Sequence, residues 1–171
     1  PSTERQHEML RGRVTIPICD ELGEPVSITG RAVHPHLEPK YWHLPFSVSS
    51  VLFGLDKAWP HIVKVRGALI VEGAWDTIAL HRVGYPYTVG VLGSTIKTPQ
   101  VILLLGYCKR AIVLPDHDVS GAGLKGAQMT VERCKMYGME GRIAHDLAYS
   151  GDPDDLARQD PRHLAEILRA A

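Results

Sequence analysis

The sequence has no paired cysteines, no long apolar run and no excess of either charge. Its three cysteines, Cys19, Cys108 and Cys134, are scattered and form no C-x-x-C. That excludes a zinc ribbon built from this chain alone and suits a reducing compartment. No apolar stretch approaches the ~20 residues of a membrane-spanning helix, so no membrane association is expected. The first ten residues are polar, unlike a secretory signal, and no initiator methionine is present. The chain is therefore expected to be a piece of a longer protein. Nineteen Lys and Arg balance nineteen Asp and Glu. The balance is also local, 8 against 7 in residues 1–66 and 11 against 12 beyond. A strong nucleic-acid binder usually carries a basic excess. Any nucleic-acid contact here should be local, weak or helped by another domain. Repeats and low-complexity segments are absent too.

What remains is an ordinary globular composition, 44% hydrophobic and 22% charged over 171 residues, long enough to bury a real core. Residues 13–18 alternate like a strand, 20–25 are a turn, and 26–33 return as a second strand, so a hairpin is expected. Residues 34–45 read as a loop rich in Pro and His, with a possible short strand at 40–42. Ser49 to Ala58 suits a short helix with a serine cap. From Gly67 the pattern changes. Strands are expected at 68–71, 87–91, 111–114 and 142–144. Helices are expected at 74–82, 98–107, 121–137, 153–158 and 161–170. Alternation of this kind gives an α/β fold with a parallel sheet and right-handed crossovers. The division expected is a small mixed N-terminal subdomain at 1–66, an α/β domain at 67–150 and an acidic, helical extension at 151–171.

Two acidic patterns carry the chemistry. In the first, the run Leu69–Val71 ends in Glu72-Gly73-Ala74-Trp75-Asp76. In the second, Ile112–Pro115 ends in Asp116-His117-Asp118-Val119-Ser120-Gly121. Ligands of open α/β sheets bind at the carboxyl ends of the strands. Carboxylates gathered there suit Mg²⁺, a hard cation that takes oxygen ligands and bridges to phosphates. Asp116 and Asp118, two residues apart, would point to one side of a strand end. Such a pair repels unless a cation lies between; alone, a D-x-D is more often a solvated turn. Gly73 permits close backbone approach to a phosphate, or an unusual φ. Asp76 lies one helical turn from Glu72, and is equally a first-turn acid favoured by the helix dipole. Asp152 and Asp154 form a third cluster, where Asp152 before Pro153 also reads as an N-cap.

These residues resemble the Toprim domain, the fold shared by bacterial-type primases, topoisomerases and several nucleases. Its hallmarks are a Glu after the first strand and a D-x-D after the third, as at Glu72 and Asp116/Asp118. Within that superfamily they are most similar to the RNA polymerase core of the bacterial replicative primase. Glu72 to Asp76 resembles its E-G-x-x-D, Asp116 to Gly121 its D-x-D-x-x-G, and Asp152-Pro153-Asp154 its D-P-D. Arg13 to Asp20 resembles its R-V-x-x-P-I-x-D, Gly30 to Val33 its G-G-R-x-L, Pro39-Lys40-Tyr41 its P-K-Y, and Leu52 to Leu55 its L-Y-G-L. Topoisomerases and Toprim nucleases lack this N-terminal set.

The resemblance implies a Toprim fold of about four parallel strands flanked by helices, behind the small N-terminal subdomain. It implies template-directed synthesis of short RNA primers from nucleoside triphosphates on single-stranded DNA. Glu72, Asp116 and Asp118 would hold Mg²⁺ or Mn²⁺, supported by Asp76, Asp152 and Asp154. Arg31 and Lys40, with Gly73, would meet nucleotide or template phosphates; otherwise the two cations are surface charges. A replicative helicase or zinc-binding module outside this chain would be a partner, and the setting cytoplasmic, of the host if phage-encoded. Two rivals stand beside this, a Toprim nuclease using water as nucleophile and a non-catalytic nucleic-acid-binding Toprim domain. The chain departs from the pattern at Val48-Ser49-Ser50 and Val119, where the family carries basic residues, and at Thr29. A divergent core from a phage or mobile element fits those departures. His34, His36 and His43 lack the spacing of a zinc site. The tryptophans are read as packing, Gly121 and Gly123 as no Rossmann fingerprint, and Cys108 and Cys134 as small core residues.

Overall fold

A computed structural model describes residues 9–117, 120–146 and 151–171. An antiparallel three-stranded sheet comes first, with β1 (Arg13–Cys19), β2 (Pro25–Ala32) and β3 (Tyr41–His43) in that order. The expected hairpin forms, and its turn is held by Asp20, whose carboxylate accepts the N–H groups of Leu22 and Glu24. A single oxygen, Oδ1, accepts both amides, as an Asp side chain at the start of a tight turn can.

The second sheet has four parallel strands in the order β5-β4-β6-β7: β4 (Ala68–Val71), β5 (Thr88–Gly90), β6 (Arg110–Val113) and β7 (Glu140–Ile143). Alternation along the central strands feeds two cores. Ala68, Ile70, Ala111 and Val113 face one side, against α1 (Leu55–Val65), α3 (Thr98–Leu105) and α4 (Ala122–Met136). Leu69, Val71 and Leu114 face the other, against α2 (Ala74–Arg82), α5 (Pro153–Gln159) and α6 (Pro161–Ala170). Each fully buried aliphatic side chain of this kind contributes about 1.5–3 kcal/mol. Cys108 and Cys134 are buried in the first of these cores. No helix among the described residues is long and apolar enough to cross a membrane.

The helix expected at 49–58 is corrected. Residues 48–50 make a single 3-10 turn, residues 51–53 are extended, and α1 starts only after Gly54, whose φ of 79° suits glycine. It then runs on to Val65 through Pro60. Pro60 lies on the exposed face of the helix, where its ring displaces no core side chain. Phe53 instead pairs antiparallel with Gly90, exchanging hydrogen bonds of 2.8 and 3.0 Å, and so adds a residue of sheet to the edge of β5. Helix α1 shares its core with β4 and β5, although the division at residue 66 groups it with the N-terminal part. A smaller apolar seam of Ile18, Val51, Phe53 and Ala74 joins the two sheets.

Gln100 sutures this seam. Fully buried, it donates through Nε2 to the carbonyls of Val51 (2.7 Å), Val91 (3.0 Å) and Val48 (3.2 Å), and its Oε1 accepts the Lys97 N–H at 2.7 Å. Replacing Gln100 with Leu would bury those carbonyls without a donor. The expected loss is about 2–4 kcal/mol of stability, read as a lower urea midpoint at unchanged slope. A loss below about 1 kcal/mol would show that water fills the role.

Candidate functional site

The carboxyl ends of β4, β5 and β6 open onto one cleft of about 390 Å³. Glu72 and Gly73 follow β4, Leu92 to Ser94 follow β5, and Asp116 follows β6; all line the cleft, as do Asp76, Asp152 and Asp154. The facing wall comes from the antiparallel sheet, with Thr29, Arg31, Lys40, Tyr41 and His43. Eight of the nine expected site residues therefore meet in one place. Asp118, the ninth, lies outside the described residues.

Local contacts explain why the acids converge. Asp76 accepts the Gly73 N–H through Oδ2 at 3.1 Å, closing the N-terminus of its own helix. Its Oδ1 accepts the Asp154 N–H at 3.2 Å, seventy-eight residues on. One carboxylate thus fastens the start of α5 to the start of α2. Asp152 caps α5 through the Asp155 N–H at 2.7 Å. Main-chain bonds between His117 and Gly151, 2.8 and 3.0 Å, tie the loop after β6 to the segment leading into Asp152. Both structural expectations for Asp76 and Asp152 are met, and both residues still line the cleft.

Glycines allow the close approach. The Gly73 φ of −106° is ordinary, so conformational freedom is not its reason. A Cβ there would stand 2.6 Å from Asp76 Oδ2. At Gly90 a Cβ would meet Thr77 Oγ1 at 2.8 Å and the Gly73 carbonyl at 2.9 Å. In α4, a Cβ on Gly123 would collide with the Asp116 carbonyl, and one on Gly126 with that of Ser94. Helix α4 therefore presses bare backbone against two of the loops that bound the cleft, those after β5 and β6.

Burial pushes the Asp76 carboxyl up to about 7, helped by the charges of Asp116 and Asp152 and opposed by its two backbone donors. Like charges crowded in this way are relieved by a proton or a cation. Among the described residues no three Asp, Glu, His or Cys side chains are already set around one ion position. The donor set nevertheless fits a hard divalent cation: carboxylate oxygens gathered at strand ends, two of which bear on the buried Asp76. Arg31 pairs with Asp154 Oδ2 at 3.7 Å, and its guanidinium lies over the rings of both Tyr41 and Trp75. Lys40 Nζ lies 5.3 Å from the Tyr41 ring.

Sequence reasoning passed over Gln100 and Thr77. Gln100, three residues after Lys97, carries the spacing of a capping Gln, a signal open to reading. The hydroxyl of Thr77 donates to the Gly73 carbonyl at 2.9 Å, a contact with no sequence signature. Trp75 was assigned to packing, yet it lines the cleft.

A raised carboxyl pKa fixes a sign. Folded protein holds the Asp76 proton where the unfolded chain has released it. The resulting stability is complete below 3.8, the ordinary value, and lost as pH rises through about 7. With a chelator present, melting temperature should fall across that interval, and Asp76→Asn should flatten the fall. Mg²⁺ should raise it more at pH 8 than at pH 6. Parallel pH profiles for the two proteins would show that Asp76 does not titrate there.

Comparison with known proteins adds the following. The Toprim domain family matches residues 66–144. The chain is similar to a DNA primase of Synechococcus elongatus, 36% identical over 149 residues, 85% of this chain and 20% of that protein. Among solved structures it is similar to the zinc-binding and RNA polymerase domains of the Aquifex aeolicus primase. That match has a TM-score of 0.82 and 26% identity, over 95% of this chain and 41% of that one. It is also similar to the DnaG primase catalytic domain bound to single-stranded DNA, with a TM-score of 0.79 and 26% identity, over 94% of this chain and 52% of that one. The chain thus spans about a fifth of the curated relative and about half or less of the solved ones.

Proposed function

The chain belongs to the DNA primase family as its Toprim-domain core, and on that premise we propose that it joins nucleoside triphosphates into short RNA primers on single-stranded DNA. The observation that carries this is the composition of the cleft. Strand-end carboxylates form one wall, and Arg31 and Lys40 of the antiparallel sheet form the other. Arg31 and Lys40 belong to the N-terminal set that resembles the primase core and that Toprim nucleases lack.

Glu72 and Asp116, with Asp118, would hold one or two divalent ions, Mg²⁺ or Mn²⁺, in keeping with the metal dependence general among Toprim domains and primases. When bound, they supply charge neutralisation at the attacking 3′-hydroxyl and the leaving pyrophosphate. Asp76 keeps the loops after β4 and before α5 in register, so the carboxylates stay close. Asp152 and Asp154 support it from the start of α5. Arg31 donates to phosphate oxygens, and Lys40 offers a point charge to nucleotide or template. Gly73 leaves room for a phosphate beside the backbone. A zinc-binding module or a helicase, acting beside this chain in the cytoplasm, completes the reading.

Asp116→Asn should lower primer synthesis by at least ~100-fold while the circular dichroism spectrum stays unchanged. The assay is incorporation of labelled nucleotides on single-stranded DNA, run beside a nuclease assay on the same template. Template degradation without synthesis would install the nuclease instead.

Zero net charge predicts weak binding of single-stranded DNA with a shallow salt dependence, since each neutralised phosphate adds about 0.7 to the slope. Lys40→Ala should reduce that slope by about one phosphate's worth. Tethering to a template-binding module raises local concentration and should restore priming. A titration of labelled DNA at several salt concentrations decides it. Tight binding with a steep slope would reveal a basic surface and overturn this expectation.

A further inference from the structure

Arg31 lies over two rings that reach it from different elements. Its guanidinium carbon lies 5.7 Å from the Tyr41 centroid and 5.3 Å from that of Trp75. Tyr41 stands opposite Arg31 in the register of β2 and β3, so strand pairing delivers it. Trp75 arrives from the first turn of α2, beside Gly73. A guanidinium within about 6 Å of an aromatic face is attracted by the ring quadrupole. Being planar, it is also oriented by that face, which an ammonium is not.

Trp75 is not placed for its polar handle. Its Nε1 is buried with no hydrogen-bond partner, whereas a tryptophan kept for its N–H usually finds an acceptor. The ring is what the site uses. The ion pair between Arg31 and Asp154 is long, 3.7 Å, and Asp154 also receives Arg158 at 3.2 Å through its other oxygen. The Arg31 side chain is one-third exposed. Its plane is therefore set by the rings more than by a carboxylate, and its N–H groups remain open to an incoming anion.

We propose that Trp75 is a positioning residue for nucleotide binding: its indole face, opposed by Tyr41, fixes the plane in which Arg31 meets the phosphates of a nucleoside triphosphate. The inference rests on the polymerising function proposed above. Trp75 acts through Arg31 and touches no reacting atom. Losing its ring should weaken nucleotide binding and leave the chemical step alone.

The test measures equilibrium binding of a labelled nucleoside triphosphate with Mg²⁺, beside initial rates of primer synthesis. Trp75→Leu should weaken binding about three- to tenfold and raise KM equally, with kcat held within about twofold. Trp75→Met, unbranched and better able to fill an irregular gap, serves the same comparison should the Leu variant not fold. Trp75→Phe keeps a ring and should rescue the affinity. In an Arg31→Ala background, Trp75→Leu should add nothing, because no guanidinium remains to be oriented. Additive effects, or a fall in kcat at unchanged KM, would show that Trp75 only packs and would overturn the inference alone. Wild-type protein that binds no nucleoside triphosphate would overturn the proposed function and this inference together.

Discussion

Asp76 is buried in the first turn of α2, with the charges of Asp116 and Asp152 close enough to raise its carboxyl. Much of the arrangement around it follows from keeping these repelling groups together. Parallel strands all end at one edge, so the loops after β4 and β6 deliver their acids to the same side of the sheet. Backbone amides at the starts of α2 and α5 then hold Asp76 through both oxygens. Each donor favours the ionised form, while burial and the neighbouring acids disfavour it. A cation at the strand ends would offset the repulsion from the neighbouring acids and leave the hydrogen bonds in place.

The antiparallel sheet supplies what the acids lack. Its Arg31 and Lys40 line the same cleft as Glu72 and Asp116, so a chain of zero net charge brings both signs together at one site. Apposition of the two sheets depends on few contacts. Phe53 adds itself to the β5 edge, Ile18, Val51, Phe53 and Ala74 fill the seam, and Gln100 ties three carbonyls across it. Val48 and Leu92, which line the cleft, lie within or beside the segments Gln100 holds. Cleft geometry is thus coupled to a buried amide that is absent from the cleft wall.

Much of the fold was legible. Strand β4 is a short apolar run between Gly67 and Glu72, the apolar run of β6 lies between Arg110 and Asp116, and Asp152 and Asp160 each precede a Pro at a helix start and cap that helix. The helix at residues 49–58 was misplaced because serines imitate an N-cap and Pro60 imitates a stop. In the fold, Gly54 begins α1 in a left-handed conformation and Pro60 is tolerated on its exposed face. Among site residues, the order E-G-x-x-D, D-x-D and D-P-D led directly to Glu72, Asp76, Asp116, Asp152 and Asp154, all in the cleft.

Sequence by itself determined the local elements and the identity of the acids, because strand periodicity, capping and acid spacing are properties of neighbouring residues. Only the tertiary structure decided which carboxylate is buried, which cations share its cleft and which rings Arg31 lies over. The Asp76–Asp154 bond spans seventy-eight residues, and the Trp75–Arg31 contact forty-four. Separations of that size are set by sheet register and helix packing, and no local pattern encodes them. The same holds for Gly123 and Gly126, whose missing side chains acquire a reason only when α4 is laid against Asp116 and Ser94.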